Sequence, residues 1–239
     1  MPKPSRLLAT IAAALALALF AARPPLGTSP VLIELFTSQG CSSCPPADAL
    51  LARISNDPKL QGVAVPVAFH VHYWNRLGWR DPFSSREWSL RQGEYVRAME
   101  LEGAYTPQIV INGTRQVAGS DAAAIYAAIE EESRRKPEGA IVLTRSGNQV
   151  SVRAQTQRKD AELLVVTFEN AAATNVERGE NGGRKLVNPA VVRSLIRAKG
   201  LATEVTVDPK LGVAAFLQER GSLRVLATGT SPAAPLSPR

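Results

Sequence analysis

The chain has 239 residues, 45% of them hydrophobic and 21% charged, a balance that supports folded cores and excludes wholesale disorder. Its net charge is +7, but the lysines and arginines are scattered, and the densest run, Arg134-Arg135-Lys136, closes a predicted helix, where cations suit the dipole. No basic stripe with interleaved aromatics is present, so the composition argues against a nucleic-acid partner.

Lys3 and Arg6 precede an apolar run from Leu7 to Ala22, which Arg23-Pro24-Pro25 follows. A basic start and a short apolar core form the pattern of a secretory signal peptide. The run is shorter than the roughly 20 residues of a bilayer-spanning helix. Residues 1–22 are therefore predicted to be a signal peptide or short anchor. The protein is expected to be exported, periplasmic or secreted, with no stable membrane span after cleavage.

Val31 to Phe36 reads as a buried strand, and Thr37-Ser38-Gln39-Gly40 has turn chemistry. A helix is predicted from Cys41, because Pro45 and Pro46 fit only a first turn and Ala47, Leu50, Leu51 and Ile54 follow at helical spacing. Val63 to Tyr73 is a second β-prone segment, residues 75–84 a loop, and Ser85 to Leu101 a helix. Ile109 to Ile111 and a return strand through Val117 flank Asn112-Gly113, a strong hairpin signal. Ser120 or Asp121 caps a helix running to about Lys136. This order suits one open sheet with helices on both faces, and places a first α/β domain at 29–137.

Beyond Gly139 the pattern changes. Ile141 to Arg145 and Val150 to Ala154 flank Ser146-Gly147-Asn148 as a hairpin. Further strands are predicted at 163–168, 202–207, 213–218 and 223–228, with 191–199 readable as strand or helix. Short strands at regular spacing suggest an antiparallel β-sandwich-like domain at 138–230. Residues 171–189 read as a long loop, and 231–239 as a disordered tail.

The chain holds only two cysteines, Cys41 and Cys44. A structural disulfide closing so short a loop stabilises little, which favours a chemical role. At a helix N-terminus, unpaired N–H groups and a positive partial charge favour a thiolate. Cys41, expected to be the more exposed, would attack a disulfide, and Cys44, one turn along, would resolve the mixed disulfide. Pro107 restricts Thr106 to an extended conformation at a strand start, and Thr106 and Pro107 are candidate substrate-binding residues. Trp74 and Trp79 are candidates to line the same groove, with core packing as the alternative.

His70 and His72 are the only histidines, two apart on a predicted strand and so on one face. With Cys41 and Cys44 they offer an alternative, a soft site for a copper or zinc carrier. A second alternative is a cell-envelope binding module with an inert disulfide. The leading reading needs no cofactor. Its partners would be protein thiols or disulfides and an electron-donor protein.

The run Glu34-Leu35-Phe36-Thr37-Ser38-Gln39-Gly40-Cys41-Ser42-Ser43-Cys44-Pro45-Pro46-Ala47-Asp48, with Leu77-Gly78-Trp79-Arg80-Asp81-Pro82-Phe83 and Tyr105-Thr106-Pro107-Gln108, resembles the DUF1223 family of secreted bacterial proteins. The second half keeps the likeness through Glu180-Asn181-Gly182 and Val191-Val192-Arg193. The resemblance implies a thioredoxin-like N-terminal domain, a cis Pro107 and a C-terminal β-domain. Glu34 is a separate candidate catalytic residue, because it resembles the buried acid that takes a proton from the second cysteine of thioredoxins; the alternative is a structural pair with a nearby base. The chain departs from the family pattern at His72 and Asn75, where that pattern carries aspartates.

Overall fold

The computed structural model describes residues 29–233, so the predicted leader and residues 234–239 lie outside the described residues. β1 (Val31–Thr37) is buried along its whole length, as a strand covered on both faces must be. Its odd positions Val31, Ile33 and Leu35 face one core, with Ala47, Leu50, Leu51 and Ile54 of α1 (Pro45–Asn56) and Ile125, Ala128 and Ile129 of α3 (Ala122–Ser133). Leu32 and Phe36 face a second core, with Trp88 and Tyr95 of α2 (Arg86–Ala98). Side-chain alternation along β1 thus assigns α1 and α3 to one side of the sheet and α2 to the other.

β2 (Ala64–His70) runs parallel to β1 with Thr37 opposite His70. β3 (Gln108–Ile111) pairs antiparallel with β1 and with β4 (Arg115–Ala118). The β3–β4 turn is Asn112-Gly113, both at positive φ, as the hairpin signal required. Ser85 caps α2 by accepting from the Glu87 N–H, and Asp121 caps α3 by accepting from the Ala124 N–H.

The second half adds β5 (Gly139–Ser146), β6 (Gln149–Thr156), β7 (Ala161–Asn175), β8 (Lys185–Arg197), β9 (Ala202–Thr206), β10 (Gly212–Glu219) and β11 (Val225–Ser231). The fold is α/β, with a large mixed sheet of order β11-β10-β7-β8-β2-β1-β3-β4 and a small antiparallel sheet β5-β6-β9. The small sheet packs Val150 and Val152 against Leu163, Val165, Val213 and Ala215 of the large one. The point between residues 137 and 138 does not divide two sheets, because β8 joins β2 in parallel at Val191 and Ala68. That junction brings the second half beside the cysteines.

The structure corrects several expected elements. The loop expected at 171–189 shrinks to 176–184, because β7 and β8 continue as a hairpin pairing Ala171 with Pro189 and Asn175 with Lys185. Its alanines and asparagines have weak β-propensity, and the register with the partner strand overrides it. The same partner makes 191–197 a strand. The strand expected at 63–73 ends at His70, and Tyr73–Leu77 forms a 3₁₀ turn. The helix expected from Cys41 begins at Pro45, with Cys44 as its N-cap. Ser231, expected in the tail, ends β11.

Candidate functional site

The cysteines lie on the loop that leaves β1 and enters α1. Cys41 and Cys44 are at disulfide distance, with their Cα atoms 5.4 Å apart. The Cys44 carbonyl accepts from the N–H groups of Ala47 and Asp48 at 2.9 and 3.0 Å. The Cys41 Sγ is 3.9 Å from the Thr106 carbonyl oxygen and 3.3 Å from the Ser43 hydroxyl. The Thr106–Pro107 peptide is cis. A Cβ on Gly119 would stand 2.8 Å from the Pro107 Cβ and 2.9 Å from the Ala47 Cβ, so glycine lets the backbone at 119 lie close against both Pro107 and α1.

Trp74 and Trp79 reach the same place. The Trp74 indole N–H donates to the Thr106 hydroxyl at 2.8 Å, and that of Trp79 donates to the Gln39 side-chain carbonyl at 3.1 Å. Cys41, Cys44, Thr106, Pro107, Trp74 and Trp79 therefore surround one loop.

Glu34 is elsewhere. It lies on the α2 side of the sheet, whereas the cysteines lead into α1 on the other side. Its carboxylate accepts from the Arg91 Nε at 2.5 Å, from the Arg91 Nη2 at 2.9 Å and from the Tyr95 hydroxyl. The two histidines also part. His70 Nδ1 bonds Asp81 at 2.7 Å in the interior, while His72, beyond the strand end, bonds the Ser89 hydroxyl at 2.6 Å. Among the described residues, no group of three or more His, Cys, Asp or Glu side chains is arranged to hold a metal ion.

Cys41, expected to be the more exposed cysteine, is fully buried, as is Cys44. Part of its cover comes from the second half of the chain. Asn181, buried in the β7–β8 loop, donates from Nδ2 to the carbonyls of Gln39 and Cys41, both at 2.9 Å. Beside it, a Glu180 carboxylate oxygen accepts from the Ser42 N–H at 2.8 Å. The hydrogen bonds with Ser42 hold the Glu180 carboxyl below its ordinary range.

A polar cluster that sequence reasoning missed lies under the α1 entrance. Asp48, one turn after Cys44, is buried. It accepts from Asn188 Nδ2 at 3.1 Å, and Asn188 in turn accepts from Gln39 Nε2 at 2.8 Å. Burial pushes the Asp48 carboxyl up from 3.8 to about 7; His70, the Thr37 hydroxyl and Asn188 oppose that rise, and Asp81 adds to it. Asp81 behaves oppositely. Burial alone would raise it, but His70 and the backbone N–H groups of Gln39 and Phe83 hold it below its ordinary value. The sequence signal for the cluster was an aspartate four residues after Cys44 in an otherwise apolar helix face.

Solved structures with this architecture exist. Protein AGR_C_4864 from Agrobacterium tumefaciens is 27% identical, with a TM-score of 0.73 over 89% of this chain and 98% of that one. HBP35 of Porphyromonas gingivalis is 14% identical, with a TM-score of 0.62 over 89% of this chain and 78% of that one, a likeness of fold alone. No curated protein matches the chain. The family model described as protein of unknown function DUF1223 matches residues 32–226, most of the chain and all of the cysteine site, and the chain belongs to that family.

Proposed function

We propose that the protein is an exported thiol–disulfide oxidoreductase whose first half is a thioredoxin-like unit. The observation that carries this is the Cys41–Cys44 pair at the N-terminus of α1, with the Cys41 Sγ beside the Thr106 carbonyl. In the reduced protein the Cys41 thiolate attacks a partner disulfide, forms a mixed disulfide and releases one partner thiol. Cys44 then attacks the Cys41 Sγ, forms the intramolecular disulfide and releases the second thiol. Two electrons pass to the partner, and the reverse sequence oxidises a dithiol. The backbone at Thr106 and the indoles of Trp74 and Trp79 would orient the partner segment. Export rests on the basic start and apolar run of residues 1–22.

The burial of both cysteines favours a second reading, a cell-envelope binding module with an inert disulfide. The reduction potential separates the two. Purified protein is equilibrated against graded glutathione buffers and its alkylatable thiols are counted. A value between about −120 and −270 mV, the span of known disulfide oxidoreductases, is the expected result. A value below about −300 mV, where structural disulfides lie, would overturn the oxidoreductase reading.

A further inference from the structure

Three buried polar atoms on the α1 side of the sheet have no protein hydrogen-bond partner of ordinary geometry: Thr37 Oγ1, Asp48 Oδ1 and His70 Nε2. They come from three elements, β1, β2 and α1. Thr37 and His70 are register partners at the ends of β1 and β2, and so point to the same side of the sheet. Asp48 lies on the buried face of α1, which covers that same side of the sheet, and the His70 imidazole opposes the rise of its carboxyl pKa. An unpaired buried polar atom costs roughly 1–3 kcal/mol, and apolar side chains of similar shape would avoid that cost.

We propose that Asp48 and His70 form a buried proton store that takes the thiol proton of Cys44, with Asp81 as the positioning residue for His70. This rests on the oxidoreductase reading and names, at that same site, the groups that activate its second step. Asp48 follows Cys44 by one helical turn, and helical side chains lean toward the N-terminus, the end of α1 at which the cysteine lies. Asp81 accepts from His70 Nδ1, which fixes the proton there and leaves Nε2 as the free ring atom. The groups facing Asp48 are Thr37 from β1, His70 from β2, Asp81 from the following loop and Asn188 from β8. Burial holds Asp48 near neutrality, where a carboxyl exchanges protons most readily.

The step balances as follows. In the mixed disulfide, the Cys44 thiol gives its proton to the ionised Asp48, directly or through His70. The thiolate attacks the Cys41 Sγ, a new S–S bond forms and the bond from Cys41 to the partner breaks. The departing thiolate takes up one proton, and the store returns its own to solvent.

The test mixes the reduced full-length chain with dithiobis(nitrobenzoate), an aromatic disulfide. The first arylthiolate released reports attack by Cys41, and the second reports resolution by Cys44. Cys44→Ser identifies the phases by abolishing the second. Asp48→Asn is expected to leave the first phase in place, slow the second about tenfold or more at neutral pH, and remove its inflection with pH. Asp81→Asn is expected to move that inflection without removing it. An Asp48→Asn protein with the wild-type second phase and pH profile overturns the proton store. Should that variant not fold, the wild-type chain decides the matter by a disulfide-minus-dithiol infrared spectrum with carbon-13 aspartate. A protonated-carboxyl band that changes on reduction supports the store, and its absence overturns it. A wild-type chain that releases no arylthiolate overturns the oxidoreductase reading instead, and after phosphine reduction the infrared spectrum still reports on Asp48.

Discussion

Asn181 and Cys41, 140 positions apart in the chain, are joined by a 2.9 Å hydrogen bond from the Asn181 side chain to the Cys41 carbonyl. The same amide group bonds the Gln39 carbonyl, so one buried side chain holds both ends of the turn that carries Cys41. Asn181→Ala removes the donor and leaves both carbonyls without it inside the protein. A loss of about 1–3 kcal/mol in stability is expected, with faster reduction of the disulfide by dithiothreitol. Urea unfolding and the reduction rate check the two effects. An unchanged reduction rate would show that the loop does not control access to Cys41.

The Glu34–Arg91 pair predicts a different kind of loss. Both side chains are buried, and Arg91 also bonds Tyr95 and Gln218. Arg91→Met leaves the Glu34 charge without its partner, which costs about 3–5 kcal/mol in such pairs. The double variant Glu34→Gln with Arg91→Met is expected to recover a large part of that loss. Chemical unfolding of the single and double variants measures the coupling. The wild-type disulfide potential should persist in the double variant, because the pair lies across the sheet from the cysteines.

The sequence exposes local signals and hides remote ones. β1, α1 and the Asn112-Gly113 hairpin were legible because strand composition, helical spacing and turn chemistry are short-range properties. The approach of Thr106 to Cys41 was expected from the Cys-x-x-Cys and Thr-Pro motifs, whereas the sequence left Trp74 and Trp79 open between that loop and the core. Glu34 illustrates a limit: alternation groups it with Leu32 and Phe36, but in a strand buried on both faces it does not say which helix covers which face. Asn181 and Asn188 illustrate another, because the β2–β8 junction that delivers them rests on pairing between distant segments. The same junction explains why the halves read as separate units and yet share a sheet.

The raised pKa of Asp48 makes stability depend on pH. The carboxyl moves from 3.8 to about 7 in the folded protein. Below about pH 4 the group is protonated in both states and costs nothing. Between about pH 4 and 7 the unfolded chain releases a proton that the folded protein keeps, so stability falls as pH rises. A shift of about three units corresponds to about 4 kcal/mol across that window. Asp48→Asn abolishes this dependence, and its stability relative to wild type is expected to rise with pH and level off above about 7. Urea unfolding of both oxidised proteins across that range tests the sign. A difference that stays flat with pH would place the ionisation of Asp48 outside the folding equilibrium.

Glu180 sets the last expectation, at the thiol itself. Its carboxylate already accepts from the Ser42 N–H, one of the groups next to the α1 N-terminus. A thiolate forming on Cys41 would compete for the same positive end of the helix and meet a neighbouring negative charge, which disfavours ionisation. Glu180→Gln removes the charge and keeps a side-chain oxygen for the Ser42 N–H. The Cys41 pKa of the reduced variant should therefore fall below that of wild type, and thiolate ultraviolet absorbance followed through a pH titration measures it. A lower pKa gives a better leaving sulfur, which stabilises the dithiol form and makes the protein more oxidising. A titration unchanged by Glu180→Gln would mean that the loop leaves the cysteines once they are reduced, in which case the wild-type and variant potentials would also coincide.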